Sequence, residues 1–327
     1  MDNQHAEIPV IGVDVSKNKC DVALLTAGKL KHKAIANTPT GFGLLVEWLA
    51  SRHVDSGHVC MESTNIYGEA LGTYLHERGF VVSIVNPARI KGFAQSELIR
   101  TKTDKADAGL IARFCAAMKP AAWRPDPSEI QGLRALVRRL EALTEMRQQE
   151  LNRREVSNEI VLAALDEHIV FLDRSIEETQ RKIRNHIDSH PDLKHKHDLL
   201  ESIPGVGEAT IQVVLSEFAD IKRFGRAKCL ASFLGVAPRE YQSGQSVRGR
   251  TRMSKVGRGQ LRKTFFMPAL VALRYNPAIK AMKERLIKSG KCKMAIVGAA
   301  MRKLVHIIFG VLKNDQPFNP NLRQVET

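Results

Sequence analysis

Residues 8–38 read IPVIGVDVSKNKCDVALLTAGKLKHKAIANT, and the order of elements within them decides the fold. IPVIGVDVS is a short β-branched run that ends on polar residues. CDVALLT follows after the turn-like SKNK, and KLKHKAIANT alternates apolar with polar as a third strand. A doubly wound nucleotide-binding domain would place a glycine-rich turn and a helix after its first strand. No GxGxxG follows Val13, which argues against that reading.

Downstream, TGFGLLVEWLASR (40–52) has the spacing of an amphipathic helix and HVCMEST (58–64) that of a strand. GEALGTYLHERG (68–79) is a helix closed by glycine, and FVVSIVNP (80–87) is a strand stopped at Pro87. Three strands in succession, then helix–strand–helix–strand, is the order of a ribonuclease-H-like α/β domain, expected to fill residues 1–125. Residues 126–197 change character. Leu133, Leu136, Leu140 and Leu143 repeat at three and four, as do Ile169, Leu172, Ile176, Ile183 and Ile187. Two long helices joined near Val161–His168 are expected, as an antiparallel hairpin or an intermolecular coiled coil, serving as a spacer or a dimerisation arm. The stretch PDL at 191–193 ends this region.

A mainly helical third domain is expected over 198–327. Its opening LLESIPGVGEATIQVVLSE sets a PGVG turn between two helical patterns. That is the form of a helix–hairpin–helix, whose glycine-flanking N–H groups can approach a phosphate. A plain helical hairpin fits the same residues.

Composition narrows the partners. The 327-residue chain is 43% hydrophobic and 26% charged, with a net charge of +15. From Arg239 to Lys293 there are fifteen Lys or Arg against two glutamates, so one segment carries nearly all the excess and is suited to a polyanion. The five cysteines are scattered and never form a CxxC, which reads as reduced core thiols. His195 and His197, in the charged run KHKHD, read as solvated. The first ten residues lack a signal-peptide pattern, and no apolar run reaches spanning length, so no membrane is expected.

Four acids stand out. Asp14 closes the first strand and Glu62 the fourth. Asp104 and Asp107, in TKTDKADAGLIARF (101–114), lie three apart at the head of a helix and share one face. Mg²⁺ takes carboxylate oxygens in octahedral geometry, and two ions about 3.5–4 Å apart can hold the attacking and leaving oxygens of a phosphodiester. Taken singly, each acid has a plainer reading: Asp14 as the cap of the SKNK turn, Glu62 as a surface acid, Asp104 as a helix N-cap. Strand order predicts that they converge.

The basic segment EYQSGQSVRGRTRMSKVGRGQLRK (240–263) holds Ser243 and Ser246 among Arg248, Arg250, Arg252, Lys255, Arg258, Arg262 and Lys263. Arginine grips phosphate bidentately and glycine permits close approach, so a flexible phosphate-wrapping loop is expected. The serines there either donate hydrogen bonds to phosphates or supply a nucleophile. No histidine accompanies Ser243, which disfavours a hydrolase triad.

Taken together, VDVSK, MESTNIY, VNPARIKGFAQS, TKTDKADA, IPGVG and SGQSVRGRTRMSKVGRGQLR resemble, in order and spacing, the DEDD transposases of the bacterial insertion-sequence-110 family. The resemblance runs over nearly the whole chain, with Asn65 where the family usually has glycine. It implies a RuvC-like N-terminal domain, a coiled coil and a C-terminal transposase domain. It further implies that Asp14, Glu62, Asp104 and Asp107 hold Mg²⁺ (two ions, with Mn²⁺ as a substitute) and that Ser243 is the nucleophile. Implied partners are donor and target DNA, a structured non-coding guide RNA and further copies of the chain as a dimer or tetramer. The setting implied is the bacterial cytoplasm, at the nucleoid during reaction. A metal-dependent endonuclease of the Holliday-junction type, with a water in place of the serine, is the alternative.

Overall fold

The computed structural model describes residues 8–63, 67–98, 103–218, 220–243, 247–249, 251–257 and 259–321, without the side chains of 242, 243, 247 and 248. Asn65, Ser246, Arg250 and Arg258 lie outside the described residues, as do the side chains of Ser243 and Arg248. The chain divides into two compact units, Met1–Asp126 and Pro127–Thr327.

In the first unit, strands β1 (Val10–Val15), β2 (Lys19–Thr26), β3 (Lys29–Ala36), β4 (His58–Glu62) and β5 (Val81–Val85) form one sheet in the order β3-β2-β1-β4-β5. The first three are an antiparallel meander, while β4 runs parallel to β1 and β5 parallel to β4. This is the ribonuclease-H-like arrangement, and the meander is why no helix could separate the first two strands. Ile11, Val13, Val22 and Leu24 face α1 (Pro39–Ala50) and α2 (Glu69–His76), where Phe42, Leu45, Leu49, Leu71 and Leu75 complete one core. Thr38 caps α1 by accepting from Gly41 N, and Pro39 takes the first helical position, where a missing N–H costs nothing.

The opposite sheet face carries α3 (Pro87–Ser96) and α4 (Asp104–Met118). Cys60 and Val85 pack there with Ile111, Phe114 and Cys115, and Ala23 with Ala108 and Ala112. Helix α4 lies unusually close to β1. A Cβ on Gly12 would stand 2.3 Å from both Ala108 O and Ala112 N, so glycine at position 12 is what admits the helix backbone.

The second unit begins with α5 (Ser128–Val156) and α6 (Glu159–Asp188). The pairs Arg154–Asp166 and Arg147–Asp173 tie their facing sides, with His186 against the Glu129 carbonyl, so the two run antiparallel. Their junction is at Ser157–Asn158, short of the predicted Val161–His168. Asn158 accepts from Ile160 N and starts α6, and VLAALDEH simply continues as helix.

Helices α7 (Pro191–Glu201), α8 (Glu208–Phe218), α9 (Ala227–Phe233), α10 (Gly259–Thr264), α11 (Phe266–Tyr275), α12 (Pro277–Lys288) and α13 (Lys293–Asn314) complete this unit. Ile130, Leu133, Ile183 and Ile187 of the hairpin share one apolar core with Leu200, Leu215, Ala272, Leu304 and Ile308. Pro191 opens α7 rather than ending the region. Between α7 and α8, Gly205 adopts a φ of +99°, and a Cβ there would meet the Ala272 backbone at 2.8 Å. The Asn276 amide donates to Pro204 O. This part of the PGVG turn is thus buried against α11.

Three expectations need correction. By length and composition α13 could cross a membrane, although no such run was expected; here it supplies Val297, Leu304, Val305 and Ile308 to the core. Cys229 and Cys292 are exposed, while Cys20, Cys60 and Cys115 are core thiols. His195 is exposed, as expected, and pairs with Asp315, whereas His197 is mostly covered and bonded to Glu208 at 2.9 Å.

Candidate active site

Strand alternation fixes which side chains share the α4 side of the sheet. Along β1 they are Val10, Gly12 and Asp14, because successive side chains point to opposite faces. Gly12 lies against Ala108 and Ala112, so Asp14, two residues on, is directed toward the preceding turn of α4. That turn carries Asp104 and Asp107. On β4, Gly12 pairs with Cys60 and Val13 with Met61, and continuing the register sets Glu62 beside Asp14. The half-buried Asp14 carboxyl is pushed up to about 6, first by burial and then by Asp107, Asp104, Glu62 and Asp21. The other three sequence-predicted acids therefore all act on Asp14.

Two of the plainer readings are answered by neighbouring residues. The cap of α4 is Thr103, whose Oγ1 accepts from Ala106 N at 3.2 Å, so Asp104 stands inside the helix with its carboxylate free of capping. The SKNK turn is closed by Ser16, whose hydroxyl donates to Lys19 O at 2.7 Å and accepts from Lys19 N. Asp14 has no part in it. Glu62 is half-buried at the end of β4 and is not a plain surface acid.

Asp21 is a fifth acid that sequence reading did not single out. It pairs directly with Asp14 across β1 and β2, and residues so paired share a face. Its neighbour Lys19 reaches Asp21 at 2.8 Å and Asp104 at 3.8 Å. Among the described residues, the one group whose ligand atoms all lie within 4.8 Å of one another is His197, Asp198 and Glu201. There Lys194 occupies Asp198 and Glu208 occupies His197. The acids around Asp14 are gathered more loosely.

A donor set of clustered carboxylates, one of them raised by burial and then by its neighbours, suits a divalent cation, which offsets the repulsion among them. This arrangement has a thermodynamic signature without metal. A carboxyl raised in the folded chain favours folding at low pH, and that contribution disappears as pH rises through about 6. With solvent screening at a half-exposed group, the contribution is about 1 kcal/mol, or a few degrees of melting temperature. Between pH 4 and pH 7, metal-free wild type is expected to lose that much stability relative to Asp14→Asn. Parallel melting curves for the two proteins across this range would refute the crowding of Asp14.

The basic segment lies in the second unit. Two short ladders, Pro238–Arg239 (β6) with Arg252–Met253 (β9) and Gln242–Ser243 (β7) with Val247–Arg248 (β8), make it a β-hairpin rather than an unpaired loop. Ser243 pairs with Val247. At the base, Ser254 N donates to Ala237 O and Lys255 N to Gly235 O. Arg252, Lys255 and Lys263 are exposed. Arg262 is half-buried and donates to Lys255 O at 3.3 Å, which commits it to the hairpin base. The acids and Ser243 thus belong to different compact units.

Comparison with known proteins gives these features a lineage. Residues 11–156 match a DEDD transposase family model, and residues 197–284 match the model described as Transposase IS116/IS110/IS902 family. The pilin gene-inverting protein of Moraxella bovis is 34% identical over 317 residues, 96% of this chain and 98% of that protein. The chain belongs to the IS116/IS110/IS902 transposase family. Another similar protein is the transposase for insertion sequence element IS1111A of Coxiella burnetii, 23% identical over 73% of this chain and 71% of its own. Among solved structures, Thermus thermophilus RuvC in complex with a Holliday junction substrate aligns with a TM-score of 0.28 at 17% identity, over 35% of this chain and 98% of that one. Within this transposase family match, the N-terminal model spans all four acids and the second spans Ser243.

Proposed function

We propose that this transposase cuts and rejoins DNA through two groups of side chains: the acids Asp14, Glu62, Asp104 and Asp107, and the hydroxyl of Ser243. The observation that carries the reading is the convergence of Glu62, Asp104 and Asp107 on Asp14, at the end of β1 beside β4 and the first turn of α4. Those acids would hold Mg²⁺, two ions with Mn²⁺ as substitute, which when bound polarise the phosphodiester and offset negative charge on the attacking and leaving oxygens. Ser243 loses its proton as its Oγ attacks phosphorus. The bond from phosphorus to the 3′ oxygen breaks, that oxygen takes up a proton to become a 3′ hydroxyl, and the phosphate is left as a phosphoserine ester. A 3′ hydroxyl from the partner strand then attacks the same phosphorus, and Ser243 leaves with its proton restored. The phosphate bond energy is kept throughout, so no nucleotide is consumed.

Arg252, Lys255 and Lys263 would hold DNA phosphates near the hairpin. Acids and serine sit in separate units, and assembly of the chain as an even-numbered oligomer is part of this proposal. The excess positive charge would also hold a structured guide RNA, leaving target choice to base pairing. The pilin gene-inverting relatives make DNA inversion, alongside excision and insertion, a reaction to assay.

The test uses full-length protein, cognate element DNA, Mg²⁺ and RNA transcribed from the element's end. Wild type is expected to form a protein–DNA adduct on a denaturing gel, dependent on the RNA, and Ser243→Ala to form none. One observation favours the junction-type endonuclease: the four acids assemble within one unit without needing Ser243. On that reading Ser243→Ala still cuts and no adduct forms with either protein.

A further inference from the structure

Helix α4 presents a second side, toward β3. Ala108 and Ala112 lie against Gly12 of β1, whereas Gly109 faces the next strands outward. A Cβ on Gly109 would stand 3.3 Å from Leu30 Cδ1, 3.7 Å from His32 Cε1 and 3.9 Å from Arg113 Nη1. Positions four apart share a helix face, so Lys105, Gly109 and Arg113 form one line along this side of α4. The buried glycine keeps the middle of the line low, with an exposed lysine at one end and a half-buried arginine at the other. The ion pairs described on this face join Lys19 to Asp21 and to Asp104 and involve neither of the two.

His32 meets the line from the strand side. It pairs with Ala23 of β2, which packs under Ala108 and Ala112, so the imidazole lies on the α4 side of the sheet. Its Nδ1 is buried without a hydrogen-bond partner, which leaves Nε2 as the ring nitrogen able to meet a ligand. Burial, and then Lys105, lower its affinity for a proton against an opposing pull from Asp21, so the ring is a neutral donor. Strand β3 is the edge of the sheet. Lys29, Lys31 and Lys33 share the other face with Ile35 and are the ordinary defence of an edge strand, outside this grouping.

The place of these groups relative to the acids decides what they hold. Only β2 separates β3 from β1, which carries Asp14. Strands lie about 4.8 Å apart, so the line stands roughly 10 Å from Asp14 on the same face of the sheet. A DNA strand advances about 3.4 Å per nucleotide, and a strand lying over the acids therefore reaches the line about three phosphates later. The geometry points to a phosphate-binding rim, made of Lys105, Arg113 and His32, that grips the DNA strand being cut about three phosphates from the cut. Arginine and lysine bind the backbone by charge, and His32 adds one N–H donor. The inference rests on the proposed acid site, which fixes where the cut phosphate lies, and it gives the first unit a DNA contact of its own beside that of the hairpin.

The experiment measures binding of full-length protein, loaded with RNA from the element's end, to labelled cognate DNA in metal-free buffer across a range of salt. Lys105→Gln combined with Arg113→Gln is expected to flatten the slope of log affinity against log salt by about two, and Lys105→Arg with Arg113→Lys to restore it. His32→Phe should weaken binding about fivefold with no change of slope, because a neutral donor releases no counter-ion. Single uncharged methylphosphonate linkages, walked outward from the cut on either side, should weaken wild-type binding most at about the third phosphate. At that linkage the double glutamine variant should show no added loss. A melting curve checks that this variant is folded. An unchanged slope in the folded variant, equal linkage penalties in both proteins, or a slope that falls for RNA binding and not for DNA overturns the rim and leaves the acid site standing. Cutting by Asp14→Asn at the wild-type rate overturns both.

Discussion

The Asp14→Asn protein is expected to cut DNA on the order of a thousandfold more slowly than wild type while melting, without metal, at an equal or higher temperature. The two halves of this result come from one cause. Asp14 sits among Asp107, Asp104, Glu62 and Asp21, and its carboxyl is raised to about 6 by burial and by them. At neutral pH the folded chain therefore carries repulsion that an uncharged amide of the same shape relieves. That amide is also a poor ligand for a hard cation. Activity falls and stability does not. Residues held for chemistry at the expense of the fold behave in this way. A purely structural Asp14 would behave oppositely, melting lower as asparagine while cutting normally; the adjacent turn is closed by Ser16. Single-turnover cleavage and a pH 7 melt of the same preparation decide it. A variant that melts several degrees lower, or that cuts within tenfold of wild type, would remove Asp14 from the proposed role.

Much of the first unit was legible because its signals are local. The strand runs at Val10–Val15 and Lys19–Thr26 are separated by a stretch too short for a helix, and that, with the missing GxGxxG, argued against a doubly wound domain. Asp14 and Glu62 were visible as polar ends of apolar strands, and Asp104 with Asp107 as a spacing of three. Asp21 was not. An acid inside an alternating strand looks like an ordinary solvent-facing residue, and only the Asp14–Asp21 register places it beside the site. The reach of Lys19 to Asp21 and Asp104 is likewise a matter of distance between a strand and a helix, which spacing along the chain cannot express.

In the second unit, the apolar repeat located both long helices but misplaced their junction. Good helix formers at Val161–His168 interrupt the apolar pattern without interrupting the helix, while the real break is a two-residue Ser157–Asn158 cap. The segment around Ser243 read as a loop because glycine and arginine dominate it. Its ladders are held by backbone pairing, in which side-chain identity has little part.

Gly12→Ala is expected to be the most damaging single methyl in the first unit. The added Cβ would stand 2.3 Å from Ala108 O and from Ala112 N, and 2.9 Å from Ala112 Cα. All three are backbone atoms, so no rotamer change can relieve the clash and α4 has to lift off β1. Ala23, Ala108 and Ala112 form the small-residue seam beneath this contact, and it would open along its length. Overpacking of this kind costs about 3 kcal/mol or more, which lowers the melting temperature by on the order of 10 °C. The functional consequence is separable from the thermal one. Asp104 and Asp107 ride on the turn just before Ala108, so a shift of about 1 Å in α4 moves both away from Asp14, and misplacement of that size costs roughly a hundredfold in rate. Cleavage measured well below the melting transition should show that loss while the protein remains folded. Because the obstruction is backbone, truncating a side chain of α4, as in Ala108→Gly, should not restore activity. If Gly12→Ala melts within two or three degrees of wild type and cuts normally, the close seating of α4 on β1 is not what brings the helix-borne acids to the strand-borne ones.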